Sequence, residues 1–303
     1  MSFAYDVKQE LAQRSGKPAL LRAQGYGLFL FSRVFSREKV VLQTENEFAV
    51  QVASDYLRAQ HIPAGIEEQP STSINPVLYR LELSGPEAEK LLGGFDCSGT
   101  IPVNDSLFST PKALSFFLGG AFLACGNITD PQKEYHLEFV TKDPELADIL
   151  EELVGEITPC RRSARKNVQI VYLKDSEQIA DLLTFLGATH ASLSLMETKI
   201  VKDVRNRTNR QVNCETANLS KTAAAAVAQS DDIRLITDTL GWDALPEELR
   251  VLAHARLNYP DATMRELGEV LSPPISRSGV AHRFARLSEM AASIRNGQDT
   301  TAK

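Results

Sequence analysis

The chain has 303 residues, 43% of them apolar and 24% charged, which is the composition of an ordinary globular protein long enough for two domains. Its formal charge of -6 excludes a surface coated all over with positive charge for nucleic acid, while leaving room for local basic patches. No apolar run reaches the roughly 18 residues of a membrane span, and the opening Met1-Ser2-Phe3-Ala4-Tyr5-Asp6 lacks the basic and apolar regions of a secretory signal.

Phe3, Val7 and Leu11 recur at helical spacing and predict a short amphipathic first helix. Lys17-Pro18 opens a second helix running through Leu28. Val40 to Thr44 reads as a strand, Asn46 to Gln60 as a helix, and a strand pair ends in Val77 to Leu83. Ser84-Gly85-Pro86 breaks that strand and starts a helix ending at Leu92-Gly93-Gly94. The glycine, prolines and polar residues between Phe95 and Pro111 make the best internal linker. The pattern then returns: a helix from Pro111, a strand from Tyr135 to Thr141, a helix from Asp143 to Gly155, a strand from Val168 to Leu173 and a helix from Ser176 to Leu186. The strand and helix at Thr44 match those at Thr141, so a helix-strand-strand-helix unit is duplicated.

The second copy opens with Leu118-Gly119-Gly120-Ala121-Phe122-Leu123-Ala124-Cys125-Gly126. Gly119, Gly120, Ala121 and Ala124 let one helix approach another backbone to backbone. Close packing alone accounts for one such helix, but a degenerate copy, Gly25-Tyr26-Gly27-Leu28-Phe29-Leu30-Phe31-Ser32, heads the first repeat as well. The pair resembles the LAGLIDADG motif of homing endonucleases, in which two such helices pack at a pseudo-two-fold axis beneath saddle-shaped sheets that lie along DNA. Nucleases of that type carry a carboxylate at the end of each motif helix to hold divalent metal. Here the matching positions read as Cys125 and Leu30, neither a hard oxygen ligand, and nearby Asp130 reads as part of a turn. Cys97, Cys125, Cys160 and Cys214 are scattered and the histidines dispersed, so reduced thiols in a cytoplasmic protein are expected, with no metal, no cofactor and no catalytic residue.

Basic residues cluster in three places. Arg161, Arg162, Arg165 and Lys166 crowd what reads as a loop between strands of the second repeat. Lys199, Lys202, Arg205, Arg207 and Arg210 follow where the repeat domain ends. A solvated surface explains either cluster alone, but together in an acidic chain they suit neutralising phosphates. Ala223-Ala224-Ala225-Ala226 and Asp231 to Leu240 predict a helical connector closed by Gly241, serving either as a hinge or as a rigid spacer.

Pro246 starts a further helix that Asn258-Tyr259-Pro260 ends. Thr263 with Glu266 is a capping box, and Leu267, Val270 and Leu271 share one face of the helix it begins. Ser272-Pro273-Pro274 stops that helix. Ser276 then caps a second helix that buries Val280, Phe284, Leu287, Ala291 and Ile294. The opposite face holds Ser278, His282, Ala285 and Arg286, flanked by Arg277 and Arg283. A helix buried on one side, with arginine and small polar groups on the other, is what a major-groove reader needs. The stretch reads as a helix-turn-helix, although two amphipathic helices joined by a turn also occur in plain helical bundles.

Asp203-Val204-Arg205-Asn206, the run Asn209 to Thr222 with its Asn213-Cys214-Glu215-Thr216-Ala217-Asn218-Leu219 core, Gly241-Trp242-Asp243-Ala244-Leu245-Pro246, and Glu266 through Arg283 closely resemble the WhiA family of bacterial regulators. The resemblance runs from Met1 to about Arg295. It implies an α+β fold: a degenerate LAGLIDADG domain over residues 1–215, with repeats at about 17–94 and 111–190, a connector over 216–240, and an all-α helix-turn-helix over 241–303. It further implies a Gram-positive source and a nucleoid-associated, non-nucleolytic DNA-binding regulator linked to cell division, chromosome segregation and, in sporulating relatives, sporulation. The partners implied are double-stranded DNA and, in some members, a WhiB-type iron–sulfur protein or another division or transcription protein. The competing reading is an interaction module for protein or ligand, with DNA binding secondary.

Overall fold

The structure is a computed structural model that describes residues 2–71, 77–96 and 103–297. Cys97, the middle of the expected linker and the last residues of the chain lie outside the described residues. The chain forms two compact units, Met1–Asp203 and Val204–Lys303.

The first unit begins with α1 (Phe3–Ala12), whose start is capped by the Ser2 hydroxyl. Two repeats of one plan follow. The first comprises α2 (Pro18–Leu30), β1 (Val34–Phe35), β2 (Lys39–Thr44), α3 (Glu47–Ala59), β3 (Ile66–Pro70), β4 (Val77–Ser84) and α4 (Pro86–Gly94). The second comprises α5 (Pro111–Cys125), β5 (Gly126–Ile128), β6 (Leu137–Thr141), α6 (Pro144–Gly155), β7 (Arg161–Arg165), β8 (Val168–Leu173) and α7 (Ser176–Leu186). Each repeat therefore carries a four-stranded antiparallel sheet, in the orders β1-β2-β4-β3 and β5-β6-β8-β7. The sequence leaves out the short β1 and β5, and it places a loop at β7. All three strands are too short or too polar to show the apolar alternation that marks a half-buried strand.

Side-chain capping starts the helices where the sequence places it: Asn46 accepts from Ala49 N, Asp143 from Glu145 N and Asp175 from Glu177 N. One face of each sheet packs into a shared core through Val40, Leu42, Leu81 and Leu83 in the first repeat and Leu137, Phe139, Val171 and Leu173 in the second. The described ends of the expected linker are also packed. Phe95 is fully buried, Phe108 stacks on Phe117 at 4.2 Å between centroids, and Asn104 N donates to the Tyr26 hydroxyl at 2.7 Å.

α8 (Thr189–Leu240) follows, and the division between the units falls within it, upstream of the residue-215 boundary expected from the sequence. Within the second unit come α9 (Glu247–Asn258), α10 (Met264–Val270) and α11 (Arg277–Arg295). Ile233 and Ile236 of α8 join Leu249, Leu252, Leu267, Val280, Phe284 and Leu287 in a separate helical core. Val270, expected on the buried face of α10, is 54% exposed, whereas Leu267 and Leu271 are buried in the core shared with α11.

Candidate nucleic-acid interface

The α10–α11 pair has the local order the sequence dictates. Thr263 Oγ1 accepts from Glu266 N at 3.3 Å while Glu266 accepts from Thr263 N at 2.7 Å, a complete capping box. Ser276 Oγ accepts from Gly279 N at 3.2 Å and starts α11. The turn between them folds tightly over Gly268. A Cβ there would stand 2.3 Å from the Ile275 carbonyl, so no side chain fits.

α11 buries Val280, Phe284, Leu287 and Ala291, while Arg277, Ser278, His282 and Ala285 are exposed. Ser278 shares a 2.9 Å hydrogen bond with Ser276 Oγ. The remaining two candidates on this helix are engaged from α9. Arg286 pairs with the Glu248 carboxylate, and Arg283 donates to the Glu248 carbonyl at 3.3 Å and lies 3.8 Å from its carboxylate. The Arg286 hydrogen bond, with Arg283 close by, holds Glu248 below the usual carboxylate range. The structure thus exposes Arg277, Ser278 and His282, the last close enough to Glu248 to feel its charge, and clamps Arg283 and Arg286.

Sequence reasoning passed over Arg256, which is only 2% exposed. Its guanidinium donates to Gln229 Oε1 at 3.1 Å and to the carbonyls of Pro260 and Ala262 at 3.1 and 2.7 Å, tying the α9–α10 loop to α8. The position reads as one more charged helix residue, so no local signal marks its burial.

In the first unit the residues expected in a loop form β7, and strand alternation divides them. Arg161 pairs in register with Tyr172 and Arg165 with Val168, on the sheet face turned away from the core. Arg162 pairs with Val171 on the opposite face, where it bonds Asp148, Gln169 (3.2 Å) and the Pro144 carbonyl, with Glu151 3.6 Å away. It braces α6 against the sheet and is spent. Lys166 sits in the exposed two-residue turn between β7 and β8 with φ +55°. The outer face gains residues the sequence reading missed. Lys174 lies 5.5 Å from the Tyr172 ring, and His136 is 5.7 Å from that ring and 3.2 Å from Glu138. Alternation along Val168–Leu173 could have found Tyr172.

Of the α8 cluster, Lys199 pairs with Glu177 at 2.6 Å. Lys202 donates to the Pro131 carbonyl at 2.7 Å above the Tyr135 ring. Arg205, Arg207 and Arg210 are exposed and form no ion pair with a described residue.

α2 and α5 cross as the motif requires. A Cβ on Gly27 would stand 2.0 Å from the Phe117 carbonyl, and one on Gly120 would stand 2.0 Å from the Gln24 carbonyl. Each carbonyl lies one turn before the glycine of its own helix, so the contact is reciprocal and fixes the register. Gly120 makes the approach and Ala121 is fully buried beside it, while Gly119 faces the tip of Arg14 instead. That register equates Cys125 with Ser32, correcting the match to Leu30, which is 2% exposed in the core. The two glycines of the first copy make its alignment ambiguous until the contact is seen.

Ser32 and Cys125 line a cleft of about 710 Å³ with Arg33, Gln43, Thr141 and Lys142. Burial pushes the Cys125 thiol up to about 12, so it is protonated at neutral pH. Asp130 caps its own turn, accepting from Gln132 N at 2.8 Å. Among the described residues, no group of three or more His, Cys, Asp or Glu side chains is placed to hold a metal, and no helix is long and apolar enough to cross a membrane.

Two repeats meeting at paired glycine helices, followed by a capped helix-turn-helix, define a LAGLIDADG-like domain joined to a helix-turn-helix domain. Comparison with known proteins agrees. Residues 114–205 match the WhiA LAGLIDADG-like domain and residues 208–291 the WhiA C-terminal HTH domain. A probable cell division protein WhiA of Clostridium perfringens is 44% identical over 196 residues, covering 64% of this chain and 62% of that protein. One of Alkaliphilus oremlandii is 44% identical over 211 residues, covering 69% and 65%. The aligned part of the chain thus spans under two thirds of either relative. The crystal structure of full-length WhiA from Thermatoga maritima has the same fold, with a TM-score of 0.59 at 20% identity over 96% of this chain and 98% of that one. The chain belongs to the WhiA family.

Proposed function

We propose that the chain is a cytoplasmic, nucleoid-associated regulator of transcription that reads double-stranded DNA through α11 and does not cleave it. The observation that carries this reading is the exposed Arg277–Ser278–His282 face on a helix whose other side is packed into a helical core. Such a helix docks through backbone contacts and reads base edges with a few side chains. Arg161, Arg165 and Lys166 of the second sheet, and Arg205, Arg207 and Arg210 of α8, add phosphate contacts without sequence preference. Ser32 and Cys125 at the ends of the motif helices support the loss of nuclease chemistry, since neither supplies the hard anionic oxygen that magnesium needs.

Work in cell division follows the name of the relatives, and chromosome segregation and sporulation follow the family resemblance. A WhiB-type iron–sulfur protein, or another division or transcription protein, is the partner class to seek by co-purification. The deciding experiment is a footprint of the full chain on its chromosomal sites at fixed salt. His282→Ala is expected to lose about 1–3 kcal/mol of binding to the specific site if it contacts a base, and Arg277→Ala to weaken the same footprint. A footprint and affinity unchanged by both would overturn the reading. Supercoiled DNA incubated with the protein and magnesium is expected to remain intact.

A further inference from the structure

A groove of about 450 Å³ lies within the second unit, between α8 and the first turns of α10 and α11. Its walls include Lys221, Gln229, Arg256, Thr263, Arg265 and Arg277, and none of the described residues lining it is acidic. Arg265 is engaged by Glu269 at 3.1 Å just outside the lining, whereas Lys221 and Arg277 are exposed and form no ion pair with a described residue. Four cations thus converge on one concave surface, with two carboxylates at its edge, Glu269 on Arg265 and Glu266 on the Thr263 amide.

Arg256 gives the groove its chemistry. A buried guanidinium is costly unless its charge and its donors are both met. Here Nε and Nη1 are met by neutral oxygens of Gln229, Tyr259, Pro260 and Ala262, and by no carboxylate. Nη2 makes no hydrogen bond to a described residue, on a side chain that forms one wall of the groove. The Phe284 ring lies 5.4 Å from the guanidinium carbon, so the charge meets an aromatic face and neutral oxygens but no carboxylate, and an anion accepting several hydrogen bonds would complete it.

We infer that this groove is a phosphate-binding site, formed by Lys221, Arg256, Arg265 and Arg277, that seats a backbone phosphate of the duplex read by α11. The inference rests on the DNA-binding reading and extends it, because it makes α8 part of the DNA-contacting surface. Arg277 is the first residue of α11, so a phosphate held there anchors the end of the helix that enters the groove. The same chemistry suits a free phosphate monoester, and the test separates the two sources.

Arg256 also holds a loop, so Lys221→Ala, Arg265→Ala and the double variant carry the test in the full chain. Duplex affinity is measured against salt on specific and random sequence, and inorganic phosphate is titrated calorimetrically. A bound backbone phosphate predicts equal weakening on both duplexes. It also predicts a log–log salt slope lower by about 0.9 for each contact removed. Phosphate binding that disappears in the variants while the duplex slope stays fixed assigns the groove to a free anion. Variants that change neither measurement overturn the site. Should the unaltered chain fail to bind duplex at all, the DNA-binding reading falls, and the phosphate titration alone still judges the groove.

Discussion

The two repeats of the first unit share one plan, yet they have kept different things. Their buried sides meet reciprocally, as across a two-fold axis, with Gly27 against the Phe117 carbonyl and Gly120 against the Gln24 carbonyl. Their outer sheet faces differ. In the first repeat Glu82 takes both Lys39 (2.6 Å) and Arg80 (2.5 Å), and Glu67 stands in register beside Arg80. In the second, Arg161, Arg165 and Lys174 share a face with Tyr172 and His136 against the single acid Glu138. Packing tolerates no change where two backbones touch, whereas a solvated face can trade a cation for an acid at almost no cost in stability. The asymmetry makes the second sheet the face on which to test for phosphate contacts from this unit.

The largest expected effect tests the shared side. Gly120→Val should destabilise by about 3 kcal/mol or more, since its Cβ would overlap backbone that cannot yield. Gly119→Ala, whose Cβ would meet the tip of Arg14 at 3.3 Å and Leu11 and the Leu186 carbonyl at an ordinary 3.8 Å, should be far milder. Thermal unfolding of both separates them, and equal losses would mean that the reciprocal contact does not hold the repeats together.

Next in size is Lys8, which belongs to the surroundings of the second motif helix. Its ammonium donates to the Leu123 carbonyl at 3.4 Å beside the Phe122 ring, and burial pushes it down to about 8 from 10.5. Between those values the unfolded chain binds the extra proton, so stability rises with pH across pH 8 to 10.5. Lys8→Met removes the burial cost. It should stabilise by up to about 3 kcal/mol below pH 8, and the gain should fade as pH climbs to 10.5. A gain that ignores pH would place its origin in packing rather than in charge.

Third, Arg161→Ala with Arg165→Ala should lower the salt slope on random duplex by about two. Arg162→Ala should leave the slope unchanged and lower the melting temperature, because its partners are Asp148, Glu151 and Gln169. Identical slopes for both variants would erase the distinction between the two faces of β7.

What the sequence makes legible follows from locality. Caps, breakers and helical periodicity are written within a few residues of each other, so Val168–Leu173, Ser176–Leu186, the Thr263 capping box and the Ser276 cap all appear where expected. β7 is hidden because an edge strand rich in arginine has no apolar alternation, although such charge is what protects an edge from unwanted pairing. The equivalence of Ser32 with Cys125 is hidden because it rests on a contact between helices far apart in the chain. The burial of Arg256 and the clamp on Arg286 likewise depend on Gln229 and Glu248, which no local pattern links to them.

The smallest expected effects probe what silences a cation. Glu82 neutralises two cations on the first sheet, and Glu248 does the same to Arg283 and Arg286 on α11. These pairs are exposed or half-exposed and screened by solvent, so Glu82→Gln and Glu248→Gln should each change the melting temperature little. Each should release two positive charges. If acids alone keep the first face from DNA, Glu82→Gln should steepen the random-duplex slope by up to about two, making that face resemble the second. If the curvature of the first sheet keeps its cations away from a duplex, the slope will not move. Glu248→Gln separates the same alternatives on α11 and reports on sequence as well. A steeper slope on every duplex would mean that Arg283 and Arg286 reach phosphates once freed. Tighter binding confined to the specific site would mean that at least one reaches a base, and that Glu248 restrains recognition until DNA displaces it.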